Sequence, residues 1–284
     1  PTGTPFRSDD AQLPFVQYAP QNGGTTISLT DYDYGYGRAL ADGIVRPVIF
    51  MVYAGKMRWQ TSAGEEMEAR LGEGNTKDIT SQAWRTALDP AGDWIAKVLQ
   101  AANRRLTEVR QGIPDAGGLV IATDHASAKA YAQMLQQMTG EEVALILSDD
   151  AGASERIDSY SHGESRWMVA VRMVSEGVDV PRLAVGVYAT SSSTPLFFAQ
   201  ASGRFVRSRG RGEVASVFVP NVPALMQLAA ELEKERNHVL EGPASAEEMW
   251  DAEAALMNEA EREDRASSEL LDEEFKYQAL ASDA

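Results

Sequence analysis

Four residues in one short stretch could do chemistry together. Residues 195–211, PLFFAQASGRFVRSRGR, hold Gln200, Gly203, Arg204 and Arg207 in the pattern Q-x-x-G-R-x-x-R. On a helix, spacings of four and then three stack Gln200, Arg204 and Arg207 on one face. Gly203 bares one side of that turn, so a backbone or a phosphate can come close. Two guanidiniums aimed one way suit a polyphosphate, which each grips through paired hydrogen bonds. A solvated basic helix end would use the same residue types. The residues upstream favour the chemical reading.

Upstream stands Val174-Ser175-Glu176-Gly177-Val178-Asp179-Val180-Pro181. This stretch resembles motif V of superfamily 2 helicases, T-x-G-x-D-x-P, and the Gln200–Arg207 pattern resembles their motif VI. Near the start, Thr2-Gly3-Thr4-Pro5 resembles motif III, which closes the first of two motor domains. The resemblance covers residues 117–240 and, more loosely, 2–57. It implies an α/β, RecA-like three-layer domain with a mostly parallel sheet, the C-terminal motor of an ATP-dependent DNA helicase or translocase. The nearest flavour is the DEAD/DEAH-type group that includes type III restriction and DNA-repair helicases. Site roles follow by the same resemblance. Arg207 is the arginine finger, Arg204 a second phosphate contact, and Gln200 holds the attacking water or the γ-phosphate. Gly177, Asp179 and Gly203 reach the nucleotide. Thr123, Ser148, Arg172 and Ser175 hold the nucleic-acid strand, Ser175 replacing the usual threonine but keeping the hydroxyl. The implied ligands are ATP with Mg2+, and DNA.

No stretch reads G-x-x-x-x-G-K-(S/T), and none reads Asp-Glu-x-His or Asp-Glu-x-Asp. Most of the ATP and Mg2+ site is therefore expected on a first RecA-like domain of the same full-length chain. The opening at Pro1 and the ending Ala-Leu-Ala-Ser-Asp-Ala are those expected of a piece of something longer. A catalytically silent RecA-like module and an RNA helicase are the competing readings. Intact Gln200, Gly203, Arg204 and Arg207 argue against the first, and YDYGYGRALADGIVRPVIF leans away from the second.

Bulk properties bound these readings. The chain has 284 residues, of which 44% are hydrophobic, enough for one large core or two modest ones. No apolar run approaches the ~20 residues of a membrane span, and no basic-then-apolar signal segment opens it. Zero cysteines exclude disulfides and thiolate metal sites, and the expected location is cytoplasmic. Net charge is −16, against a protein that coats nucleic acid. Residues 241–284 carry 14 acids and 3 bases, hence −11, which leaves −5 for the rest. His125 and His162 have no partner at ligand spacing, so no metal site is expected.

The elements that must position these residues read as follows. Three segments are expected: 1–30, the end of a first motor domain and a linker; 31–240, the motor domain; and 241–284, an acidic helical tail. Residues 15–18 read as a short strand. A helical lead-in capped by Thr30 uses Tyr36, Ala39, Leu40 and Ile44, and Gly43 stops it. Tyr32, Tyr34 and Tyr36 could stack on bases, but packing is the commoner use. Residues 46–53 read as a buried strand, and 65–71 as a short helix. A long amphipathic helix over 80–111 breaks near Pro90. It buries Trp84, Leu88, Trp94, Ile95, Val98, Leu99 and Leu106 and turns Arg104, Arg105 and Arg110 to solvent. Strands at 118–123, 143–147, 167–171, 183–188 and 214–219 then alternate with helices at 126–138, 153–161, from 195, and 223–240. That order predicts a parallel, doubly wound sheet with ligands beyond the carboxyl ends of its strands. Residues 123–125, 148–150, 172–179 and 190–193 should line that edge together. The tail, with Met249, Trp250, Leu256 and Leu270, predicts one or two amphipathic helices.

Overall fold

A computed structural model describes residues 17–20, 26–29, 34–60, 66–147, 152–171, 180–210, 212–240 and 276–279. Thr30, Tyr32, Ser148, Arg172, Ser175, Gly177 and Asp179 lie outside them. The motif III-like tetrapeptide does too.

Four strands carry the core, and each is buried along its whole length. They are β6 (Gly117–Ala122), β8 (Trp167–Val171), β9 (Leu183–Ala189) and β10 (Ala215–Pro220). Their continuous apolar runs are what a parallel strand covered on both faces requires. With β3 (Val48–Ala54) and β7 (Ala144–Ile146) they form six parallel strands. The sheet order is β11-β3-β10-β9-β6-β8-β7, where β11 (Lys276–Ala279) pairs antiparallel with β3. Parallel neighbours need crossovers, which are right-handed. Crossovers running one way, through α3 (Asp93–Gly112) and α4 (His125–Thr139), lie on one face. Those running back, through α5 (Ala153–His162) and α6 (Pro195–Gly203), lie on the other. There α7 (Pro223–Leu240) packs on α6 and on α1 (Tyr36–Ala41). The three-layer α/β architecture is the one expected.

Local signals fix the helix ends. Thr194 caps α6 by accepting from the Phe197 amide (3.4 Å), with Pro195 at the first helical position. Asp124 caps α4 through the Ser127 amide (2.8 Å), and Gly140 closes it with φ +70°. Gly43, at φ +68°, stops α1 as expected, with the Ile44 amide reaching back to Ala39 O (2.9 Å). Ile44 therefore lies past the helix, and it is exposed rather than packed. The predicted break near Pro90 separates α2 (Lys77–Ala87) from α3.

Three expectations change. Residues 65–71 do not form a helix. Lys56–Gln60 (β4) and Glu66–Arg70 (β5) form an antiparallel pair packed against α2. The period-two alternation decides it: Met57 and Ala69 face inward as cross-strand partners. Glu68 faces outward, paired to Lys56 (2.8 Å) and Arg58 (2.6 Å). The expected linker holds an antiparallel pair, Gln17–Pro20 (β1) with Thr26–Leu29 (β2), two residues beyond the strand placed at 15–18. The described part of the acidic tail, β11, is a strand and not a helix. It covers the β3 edge, whose backbone groups would otherwise lack partners on that side.

Candidate functional site at the amino-terminal edge of the sheet

Helix α6 runs back along the sheet from the carboxyl end of β9, so its last turn lies at the amino-terminal edge. Phe198, Ala201, Ser202 and Phe205 are buried. This i, i+3, i+4, i+7 stripe anchors the segment. The Phe198 ring stacks on Phe50 at 5.5 Å and meets Tyr188 at 5.6 Å. Burying such rings is worth ~1.5–3 kcal/mol each. With that face inward, Gln200, Gly203 and Arg204 fall on the outward side. Gly203 is exposed, and Gln200 and Arg204 are half-buried.

Arg207 does not share that helix face. The helix ends at Gly203, and its last turn tightens. The Arg204 amide bonds Ala201 O (3.2 Å) and the Phe205 amide bonds Ser202 O (3.0 Å). The cause is Phe205, whose ring drops onto Gly186 of β9. A Cβ there would come within 2.5 Å of the ring. Beyond the turn the chain extends, and Arg207 forms an antiparallel bridge with Val45. Its side chain is exposed. Helical spacing thus accounts for Gln200 and Arg204 and fails for Arg207.

Gly203 has no structural need to be glycine. Its φ is not positive, and an added Cβ would meet nothing within 4 Å. A cavity of about 220 Å³ opens beside it, lined by Tyr34, Tyr36, Val45, Val206 and Leu232 among others. Tyr36 donates to Arg46 O (3.3 Å) and accepts from the Val48 amide (3.1 Å). The Tyr34 hydroxyl donates to Asp42 (2.5 Å), and Arg38 lies over its ring at 5.8 Å. Tyr36 thus packs its own domain, in keeping with the commoner use, whereas Tyr34 is exposed.

Guanidiniums cross-link the rest of this edge. Arg46 is 2% exposed. Its Nε donates to Phe205 O (2.8 Å), one terminal nitrogen to Glu213 (3.1 Å), and the other to Leu183 O. Burial pulls its pKa below the ordinary arginine value, and Glu213 opposes that pull. Arg182 donates to Tyr160 O (2.9 Å), Asp115 O (2.9 Å) and Ser165 O (2.5 Å), and stacks 4.2 Å over the Tyr160 ring. Arg209 makes a two-point pair with Asp115 (2.5 and 3.2 Å). That bond holds the Asp115 carboxyl below its ordinary range. Arg105 and Arg110, expected to be solvated, are also occupied. Arg105 bonds Ser216 (3.2 Å) and Glu108 (2.8 Å), and Arg110 bonds Ala116 O and Glu164 O (3.1 Å each).

The carboxyl edge is held differently. The Thr123 hydroxyl accepts from the Ser191 amide (3.3 Å), which ties the end of β6 to the end of β9. Tyr53 donates to Tyr188 O (3.0 Å) and Tyr188 to Ser192 O (2.8 Å). Residues 123 and 191 therefore meet at one edge, as predicted. Gly177 and Asp179 precede Val180–Arg182, which enters the amino end of β9. Sequence reading missed Arg46, Glu213 and the Arg209–Asp115 pair. The one available signal was an arginine opening an otherwise apolar strand.

No protein-family model matches the chain. It is 59% identical over 263 residues to the uncharacterized protein Rv2917 of Mycobacterium tuberculosis, covering 92% of this chain and 44% of that protein. It is 57% identical over 265 residues to the uncharacterized protein ML1624 of Mycobacterium leprae, covering 93% and 44%. The chain thus spans less than half the length of these curated relatives. Among solved structures it is similar to a fragment of a putative HsdR subunit of a type I restriction enzyme from Vibrio vulnificus. There the TM-score is 0.47 at 14% identity, over 68% of this chain and 35% of that one. It is also similar to Saccharomyces cerevisiae Dbp5 bound to RNA and ADP BeF3, with TM-score 0.36 at 18% identity over 49% and 37%. The Pyrococcus furiosus Hef helicase domain gives TM-score 0.36 at 18% identity, over 48% and 28%.

Proposed function

We propose that this chain is the C-terminal, RecA-like motor domain of an ATP-dependent DNA helicase or translocase of superfamily 2. The observation that carries the reading is the build of the Gln200–Arg207 segment. Its apolar stripe is sunk into the core, Gln200, Gly203 and Arg204 face away from the sheet, and the exposed Arg207 sits on a backbone pinned to Val45. A guanidinium on a fixed backbone can meet charge that develops elsewhere without reorganising.

The residues present fit one side of a nucleotide site. Gly203 leaves its side of the turn open, with nothing within 4 Å of an added Cβ, and two arginines follow it in sequence. ATP would be shared with a first RecA-like domain of the full-length protein, which would supply the phosphate-cradling loop and the carboxylates for Mg2+. Among the described residues, no group of three or more His, Asp or Glu could hold a metal ion. As the γ-phosphoryl group transfers to water, negative charge builds on its oxygens. Arg207 stabilises that charge, an effect on the order of 10³–10⁵ in rate for such fingers. Arg204 grips phosphate, Gln200 orients water, and Gly177 and Asp179 complete this side. Thr123, Ser148, Arg172 and Ser175 contact the strand backbone, which needs no base readout. No helix among the described residues is long and apolar enough to cross a membrane.

The test is ATP turnover by the full-length protein and by this chain alone, each with and without DNA. The account expects DNA-stimulated turnover from the first and negligible turnover from the second. Stimulation by RNA and not DNA would transfer the reading to RNA. No turnover by the full-length protein with either would mark a silent module.

A further inference from the structure

The segment bearing Arg204 and Arg207 is held by three residues outside it, Val45, Arg46 and Glu213. The Arg46 amide donates to Val206 O (2.8 Å) and the Arg46 Nε to Phe205 O (2.8 Å). Val45 bridges Arg207. Glu213 closes the other end, its Oε2 accepting both from Arg46 (3.1 Å) and from the Arg209 amide (3.1 Å). Three consecutive backbone positions, 205–207, are thus set by residues 45 and 46, and the return of the loop by one carboxylate. Arg46 also bonds Leu183 O at the head of β9, which ties the loop to the connection that follows Asp179.

A buried ion pair is a poor source of stability, because desolvating both charges offsets most of their attraction. Apolar residues would fill this space as well. What the pair supplies is direction: a planar fork reaching three acceptors on three segments at once. We infer that Arg46 and Glu213 are positioning residues, a buried clamp that sets the backbone of 205–207 and so the reach of Arg204 and Arg207 toward the nucleotide. The inference rests on the proposed motor function. A displacement of about 1 Å at such a site costs up to 10²-fold in rate.

The experiment uses the full-length protein and compares Glu213→Gln, the pair Arg46→Met with Glu213→Leu, and Arg207→Ala. Thermal melting and DNA-stimulated ATPase kinetics are read on each. The clamp predicts that Glu213→Gln lowers kcat about 10- to 100-fold while KM for ATP stays near its starting value. The double variant, with an apolar pair in place of the charges, should melt no lower than Glu213→Gln and remain as slow. A purely structural pair would regain kcat together with melting temperature, and that result overturns the clamp. So does near-normal kcat in Glu213→Gln. If Glu213→Gln fails to fold, the double variant decides alone. Loss of kcat in Arg207→Ala with normal kcat in both clamp variants removes the clamp and leaves the finger. Normal kcat in Arg207→Ala removes both.

Discussion

The two edges of the sheet are built from different materials. At the amino-terminal edge, Arg46, Arg182 and Arg209 bond to carbonyls and carboxylates near the starts of β3, β10, β9, β6 and β8. At the carboxyl edge, the bonds seen among the described residues run through hydroxyls and amides, at Thr123, Tyr53 and Tyr188. The buried Thr190 hydroxyl there finds no partner among the described residues. A rigid edge suits groups that must not move when charge develops. An edge of short hydroxyls and amides suits a strand gripped by its backbone and released at every step. Under the proposed function, the general expectation for doubly wound sheets, ligands at the carboxyl ends, accounts for the strand contacts and not for the arginines. The arginines with the most specific spacing lie at the opposite end.

The largest effect expected from probing this contrast comes at Gly186, which leaves room for the Phe205 ring. Gly186→Ala should cost ~1–3 kcal/mol by overpacking and displace the 204–207 turn. Denaturant unfolding and amide exchange of residues 205–209 check it. Unchanged exchange would mean that the ring does not place the loop. A smaller effect is expected at the carboxyl edge. Tyr53→Phe removes the hydrogen bond to Tyr188 O and should cost about 0.5–1.5 kcal/mol, without altering exchange at 205–209. A change there would deny that the edges act separately.

The smallest effect separates the exposed pair from the buried clamp. Asp115 has its folded pKa below the ordinary 3.8, chiefly through the hydrogen bond from Arg209. The unfolded chain therefore takes up this proton first as pH falls. The pair's contribution is present above about pH 3.8 and is lost as pH drops through the lower folded value. Asp115 is 46% exposed, so solvent screens the pair to ~0.2–1 kcal/mol. Asp115→Asn should lower stability by that amount at neutral pH and converge with the parent in acid. Parallel stability curves down to pH 2 would contradict this assignment.

Most of the fold was legible because its strands are unambiguous. The strand at 167–171 and the start of the helix at 223 match the reading to the residue, and the parallel order followed from the alternation of strands with helices. The hairpin at 56–70 was misread because charges at 65–68 mimic a helix start, while the inward Met57 and Ala69 show only as alternate positions across two strands. The motif VI-like residues were legible as types and not as geometry. Nothing in the spacing of Gln200, Arg204 and Arg207 announces that Phe205 will pull the chain out of helix onto Gly186. Arg46 shows in the sequence only as an arginine opening an apolar strand, and its pairing with Glu213 could not be found, since the two meet only once β3, β9 and β10 are adjacent. Their link is 167 residues long in sequence.

The central claim, that the amino edge serves the nucleotide and the carboxyl edge the nucleic acid, is tested most directly by two variants of the full-length protein measured side by side. Arg207→Lys keeps the charge but loses the fork. It should lower kcat for DNA-stimulated ATP hydrolysis on the order of 10³-fold or more, with KM for ATP and nucleotide-free DNA affinity near their starting values. Thr123→Ala should do the reverse, weakening DNA binding while kcat at saturating DNA persists. Near-normal kcat in Arg207→Lys, or loss of kcat at saturating DNA in Thr123→Ala, would contradict the division of labour.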